Sequence, residues 1–165
     1  MMLLFYTAAA VAILATLMVI TRTNVVHALL YFIVSLIAVA VVFYTLGATF
    51  AAALEVIVYA GAIMVLFLFV MMMLNLGQST QEQEKVWLKP GLWLGPCVLS
   101  LPLLVELIWM IRQTPDANTA HSIIEARDIG AALFGPYVLA VELASLLLLA
   151  GLVAANHLAR REDRS

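Results

Sequence analysis

Three carboxylates stand inside apolar runs of this chain: Glu55, Glu106 and Glu142. A charged side chain at the centre of a membrane helix costs about 2.5–3.5 kcal/mol on insertion scales, so each requires a reason to be there. Glu55 is followed four residues later by Tyr59, and that spacing puts both on one face of a helix. With the helix beginning near Thr49, Glu55 lies about 9 Å and Tyr59 about 15 Å along its axis, the latter close to a bilayer midplane. A carboxyl and a phenol so placed could hold waters and pass a proton along them. A single satisfied contact to a neighbouring helix fits the same spacing, and both readings stay open.

Glu142 lies about 9–10 Å into its own apolar run, with Ser145 on its face and no other charge nearby. Contact with a partner or proton traffic suits that depth. Glu106 lies a similar distance from the end of its run, where a side chain can reach the interface, so a bland role is expected for it. None of the three has a basic neighbour inside an apolar run of this chain. Each must therefore be protonated, hydrated or paired with another subunit.

Just beyond Tyr59 comes the small-residue triplet Ala60-Gly61-Ala62, then Ile63-Met64-Val65. Glycine costs about 1 kcal/mol relative to alanine in a helix interior. Small residues let helices approach closely; alternatively the triplet is a weak point where the hydrogen-bond ladder slips into a π-bulge. Spacing does not choose between these. Met64, Met71, Met72 and Met73 read as pliable packing.

Composition sets the scene for these residues. The chain has 165 residues, 65% hydrophobic and 11% charged, with mean hydropathy +1.11. Soluble domains are nearer 45–50% apolar and 25% charged, so a polytopic all-α membrane protein is expected. A net charge of −2 gives no footing for a nucleic-acid partner. No nucleotide fingerprint or nucleophile–base pair is present. The lone Cys97 offers neither an internal disulfide nor a metal-ligand spacing, and reads as a packed core thiol.

Taken in order, the apolar runs give five membrane-spanning helices in one membrane domain over 1–165, at about 3–20, 25–46, 51–74, 91–111 and 136–158. The first has no basic flank and is too long for the apolar part of a signal peptide. Asn24 is a fitting N-cap for the second, and His27 falls in its first turn, an interfacial position. Residues 45–49 form a tight uncharged turn. Pro96 and Pro102 are expected to bend the fourth helix. Ser122 and Glu125 fit a capping box for a short interfacial helix ending near Leu133, and Gly135-Pro136 opens the fifth span. Arg22, Lys85, Lys89, Arg160, Arg161 and Arg164, six of the eight basic residues, then fall on one side. The positive-inside rule places the amino terminus outside and the carboxyl terminus in the cytoplasm.

The run Glu55-Val-Ile-Val-Tyr59-Ala-Gly61-Ala-Ile-Met-Val65-Leu-Phe resembles the third helix of the subunit J family of bacterial respiratory complex I, the proton-translocating NADH:quinone oxidoreductase; chain 6 is its mitochondrial counterpart. The likeness continues through Asn75-Leu-Gly, Trp87-Leu-Lys-Pro90 and Leu133-Phe-Gly-Pro-Tyr-Val-Leu-Ala-Val-Glu142-Leu-Ala-Ser. It is weakest over 78–84 and 112–129, and Val25 stands where the family has proline. The resemblance implies a multi-pass bacterial inner-membrane subunit of a translocase, with no flavin, iron–sulfur cluster or quinone site of its own. It implies partners in small subunit K, the subunit that houses the quinone site, the antiporter-like subunits and lipid. It also implies a π-bulge around Tyr59–Val65 whose conversion to α-helix rotates the helix and opens or closes a water path. Glu55, Tyr59 and, by extension, Glu142 would line that path; Tyr59, Ala60, Gly61, Ala62, Ile63, Met64 and Val65 would form the hinge. A homologous subunit of a multi-subunit cation/proton antiporter or a membrane-bound hydrogenase is the alternative.

Overall fold

Backbone polar groups in a bilayer must be satisfied within their own segment, so apolar runs of this length have little choice but helix. The structure, a computed structural model, describes residues 2–22, 25–74, 90–112 and 124–162. Among them are helices and turns with no strand: α1 (Met2–Thr21), α2 (Val25–Thr45), α3 (Thr49–Leu54), a π-helix (Glu55–Ile63), α4 (Met64–Leu74), α5 (Pro90–Arg112), α6 (Ala126–Leu133) and α7 (Val138–Glu162). Four stretches are long and apolar enough to cross a membrane: Met2–Thr21, Val25–Thr45, Thr49–Met71 and Val138–Arg160. Within α5, Trp93–Trp109 is a shorter apolar helix. α5 runs through both Pro96 and Pro102. Asn24, the polar segment 75–89 and residues 113–123 lie outside the described residues.

The chain divides into two units, Met1–Ile123 and Ile124–Ser165. In the first, α1 and α2 form the core pair. Ala8, Val11 and Ala15 of α1 recur at helical spacing and meet Val34, Ala38 and Val41 of α2, with Leu103 of α5 closing the cluster. Ala8, Ala15 and Ala38 have no exposed surface at all, as expected where small side chains let two backbones come close. A polar bridge joins the same pair: the Thr16 and Ser35 hydroxyls are 2.8 Å apart, and Ser35 also donates to the Ala12 carbonyl at 3.3 Å. Interhelical bonds of this kind contribute on average about 0.6 kcal/mol in a bilayer.

α2 ends in a Schellman motif. Gly47 has φ 83°, its N–H donates to Tyr44 O at 3.0 Å, and the Ala48 N–H reaches Phe43 O at 3.0 Å. The left-handed conformation selects glycine there, and α3 starts immediately after. α5 packs on α2 where Tyr31, 3% exposed, lies over Gly95. The Arg22 guanidinium sits 5.6 Å from the same ring, a cation–π pair at the end of α1. Cys97 is exposed on α5, which corrects the expected packed thiol. An apolar neighbourhood in a membrane helix faces lipid or a partner as readily as core.

In the second unit, the cap of α6 differs from the one expected. Glu125 is the N-cap and Asp128 the N3 residue, its carboxylate accepting the Glu125 N–H at 3.2 Å. The box is thus shifted three residues along; Ser122 lies outside the described residues. Gly135 and Pro136 belong to a wide turn, with the Tyr137 N–H bonded to Ala132 O at 3.1 Å, so α7 opens at Val138 and continues past residue 158.

A Cβ on Gly95 would overlap the Tyr31 hydroxyl. Gly95→Ala should lower stability by about 1–3 kcal/mol, the cost of overpacking. Adding Tyr31→Phe should return part of that loss, read as the thermal unfolding midpoint of the purified protein in lipid nanodiscs.

Candidate functional site

The third helix, residues 49–74, is where the backbone departs from regular α geometry. Nine residues, Glu55–Ile63, run as π-helix between two α segments. At its start the Glu55 N–H faces Ala51 O and Ala52 O; at its end the Met64 N–H is shared between Gly61 O and Tyr59 O. Both boundary residues keep right-handed α dihedrals. The ladder therefore widens and narrows again without a break in direction.

Gly61 shows why the widening falls here. A Cβ at this position would sit 3.1 Å from the Val56 carbonyl oxygen, five residues back. That oxygen is the acceptor a π-turn uses, so a side chain at 61 would meet it closely and glycine leaves it room. The resemblance set the bulge over Tyr59–Val65; the π-helix covers Tyr59, Ala60, Gly61, Ala62 and Ile63 of that set, begins four residues earlier at Glu55, and leaves Met64 and Val65 in α4.

Glu55 is half-buried, whereas Tyr59 is 51% exposed. Neither makes a side-chain hydrogen bond to another described residue. Their shared helix thus presents them to different surroundings, the acid partly sheltered and the phenol outward. Glu142 belongs to the second unit and is exposed on α7. The Ser145 hydroxyl donates to the Glu142 backbone carbonyl at 2.7 Å, so this serine serves its own helix rather than the carboxylate. Among the described residues no group of three or more His, Cys, Asp or Glu could hold a metal ion.

The acid expected to be bland is the most buried of the three. Glu106 is 8% exposed. Its Oε1 accepts the Thr7 hydroxyl of α1, and its Oε2 is buried without a hydrogen-bond partner among the described residues. The Thr7 hydroxyl also lies 2.9 Å from Leu3 O and 3.0 Å from Leu4 O, so one proton serves three acceptors. Leu3, Leu4, Val105, Glu106 and Trp109 line an apolar groove of about 420 Å³ beside it. Glu106 therefore turns inward to α1, and the expected reach to the interface is corrected. The sequence did carry a signal: Thr7 and Glu106 sit at similar depths, about 8–9 Å from helix ends on the same side.

Their arrangement makes the two partners unequal. Glu106→Leu leaves Thr7 with its helix carbonyls and should cost little. Thr7→Val strands a buried carboxyl, at about 1–3 kcal/mol, and should become nearly neutral in the Glu106→Leu background. Thermal unfolding of the four combinations in nanodiscs checks this; equal single losses that simply add would contradict it.

The family described as NADH-ubiquinone/plastoquinone oxidoreductase chain 6 matches the chain over residues 15–158. NADH-quinone oxidoreductase subunit J of Pseudomonas aeruginosa is 60% identical over 161 residues, covering 97% of each chain. The subunit J of Escherichia coli is 61% identical over 158 residues, 96% of this chain and 86% of the relative. That of Buchnera aphidicola from Schizaphis graminum is 47% identical over 158 residues, 96% and 97% of the two chains. Apolar spans, an interrupted third helix and likeness along nearly the whole length lead to one conclusion: this chain belongs to the subunit J (chain 6) family of NADH-quinone oxidoreductase, a membrane component of respiratory complex I.

Proposed function

We propose that this subunit couples quinone chemistry elsewhere in complex I to proton translocation, through a third helix that alternates between π and α geometry and so opens or closes a path for water. The π-helix Glu55–Ile63 carries this reading. Wide turns hold the backbone satisfied while costing helix regularity, which makes the segment a two-state element of small energy gap. Glu55 at its start and Tyr59 in its middle supply the polar groups that water would follow.

In this reading the chain holds no redox centre; flavin, iron–sulfur clusters and the quinone site belong to other subunits. The subunits it meets are small subunit K, the subunit that houses the quinone site and the antiporter-like pumps, in the bacterial inner membrane. α5 is the fourth of five spans, its 23 residues being enough for about 30 Å of hydrocarbon. The amino terminus is periplasmic and the carboxyl terminus cytoplasmic. Cysteine introduced at Ser79 should then resist an impermeant reagent added to intact cells, and cysteine at Asn118 should react. Labelling at Ser79 alone would overturn that orientation.

Gly61→Leu tests the coupling itself. A branched side chain beside Val56 O disfavours the π form, and a bias of about 1.4 kcal/mol changes the populations tenfold. The assembled complex should oxidise NADH with an artificial acceptor at the wild-type rate, while quinone-linked turnover and pumping fall several-fold. Wild-type pumping in an assembled Gly61→Leu complex would reduce the glycine to a close-packing residue.

A further inference from the structure

Glu106 of α5 is satisfied on one side only. Its Oε1 accepts the Thr7 hydroxyl, whereas its Oε2 is buried with no hydrogen-bond partner among the described residues. An acceptor left so carries the full cost of losing water. The carboxyl borders the groove between α1 and α5 lined by Leu3, Leu4, Val105, Glu106 and Trp109. Leu4 and Glu106 are each more than nine-tenths buried and form its floor. Leu3, Val105 and Trp109 are exposed and form its rim. An open apolar rim thus surrounds one polar group at the bottom.

The depth of that group narrows what can satisfy it. Glu106 lies six residues before Arg112, where α5 ends, and so about 9 Å along the axis from that end. Its Cβ leans farther from the end, toward the helix amino terminus. The ammonium and hydroxyl donors of phospholipids belong to the headgroup layer, outside the hydrocarbon core, and do not reach so far in. A buried water is held by about three polar partners on average. Leu3, Leu4 and Val105 offer none from their side chains, and the carbonyls of Leu3 and Leu4 already accept the Thr7 hydroxyl.

We infer that this groove is the seat of a transmembrane helix from another subunit of the complex, one that brings a side-chain N–H or O–H donor to Glu106 Oε2. Only a membrane-embedded segment can present a donor at that depth, and its apolar flanks would cover Leu3, Val105 and Trp109. Thr7 then fixes one carboxylate oxygen inside the subunit and leaves the other for the partner. The charge complementarity required is local: an apolar helix with one donor, set to meet an acceptor about 9 Å from the end of α5. This docking surface rests on membership of the complex and is independent of any motion in the third helix.

The structure of the assembled wild-type complex in lipid nanodiscs, by electron cryomicroscopy, tests this directly. A helix of another subunit should cross the groove with a side-chain nitrogen or oxygen about 2.7–3.2 Å from Glu106 Oε2. A groove filled by an acyl chain or open to bulk lipid would overturn the proposal. So would residues 113–123 of this chain laid over it, or the Trp109 indole turned onto Oε2. A second measurement weighs the contact: complexes carrying Glu106→Gln or Glu106→Leu are extracted in rising detergent, and the fraction of this subunit retained is read by immunoblot. Glu106→Gln keeps an acceptor oxygen and should hold near wild type. Glu106→Leu strands the partner's donor, and retention at the wild-type midpoint should fall several-fold. Equal retention of all three would count against the docking contact.

Discussion

Inside a bilayer an unpaired backbone N–H or C=O has no water to turn to, and each costs several kcal/mol. Every irregularity in this chain has to be reconciled with that requirement. A coil break in the middle of the third helix would expose polar backbone to hydrocarbon. A π-helix does not, because each N–H reaches one residue further back and the ladder stays paired. The geometry at the two boundaries, where one N–H faces two carbonyls, is the joint at which one spacing gives way to the other. The third helix thus departs from α geometry without leaving a coil in the hydrocarbon.

The rest of the first unit provides a fixed frame for that segment. α1 and α2 meet through alanines and valines with hydroxyl bonds across the seam, and Tyr31 fits against Gly95 to bring α5 alongside. By contrast, the residues from Val56 to Phe69 present mostly exposed apolar side chains, a surface suited to lipid or to other subunits of the complex. A tightly packed pair thus stands beside a third helix with few buried side chains among its described residues.

Much of this architecture is legible in the amino-acid sequence. Apolar length places the helices within a few residues, because hydrocarbon thickness and the need for internal hydrogen bonds leave little alternative. Two glycines stand out for opposite reasons: Gly47 closes a turn that favours glycine, whereas Gly61 lies inside a helix where glycine costs stability and needs a cause. What the residues do not reveal is which side of each helix faces inward. When every face is apolar, the usual polar-out signal vanishes, so the exposure of Cys97 does not follow from spacing, and the matching depths of Thr7 and Glu106 do not by themselves turn the two toward each other. The cap of α6 differs from expectation because Glu125 serves equally as an N3 acid or as an N-cap when an aspartate follows three residues later.

The turn at Gly47 has a mechanical meaning. It joins α2 to α3 through two residues whose N–H groups are bonded back onto α2, so the beginning of the third helix is clamped to the α1–α2 pair. A rod clamped at one end delivers any twist to the other. Under the proposed coupling, winding at Glu55–Ile63 would pass through α4 while the short turn at Gly47 anchors the other end, as the fixed end of a torsion spring.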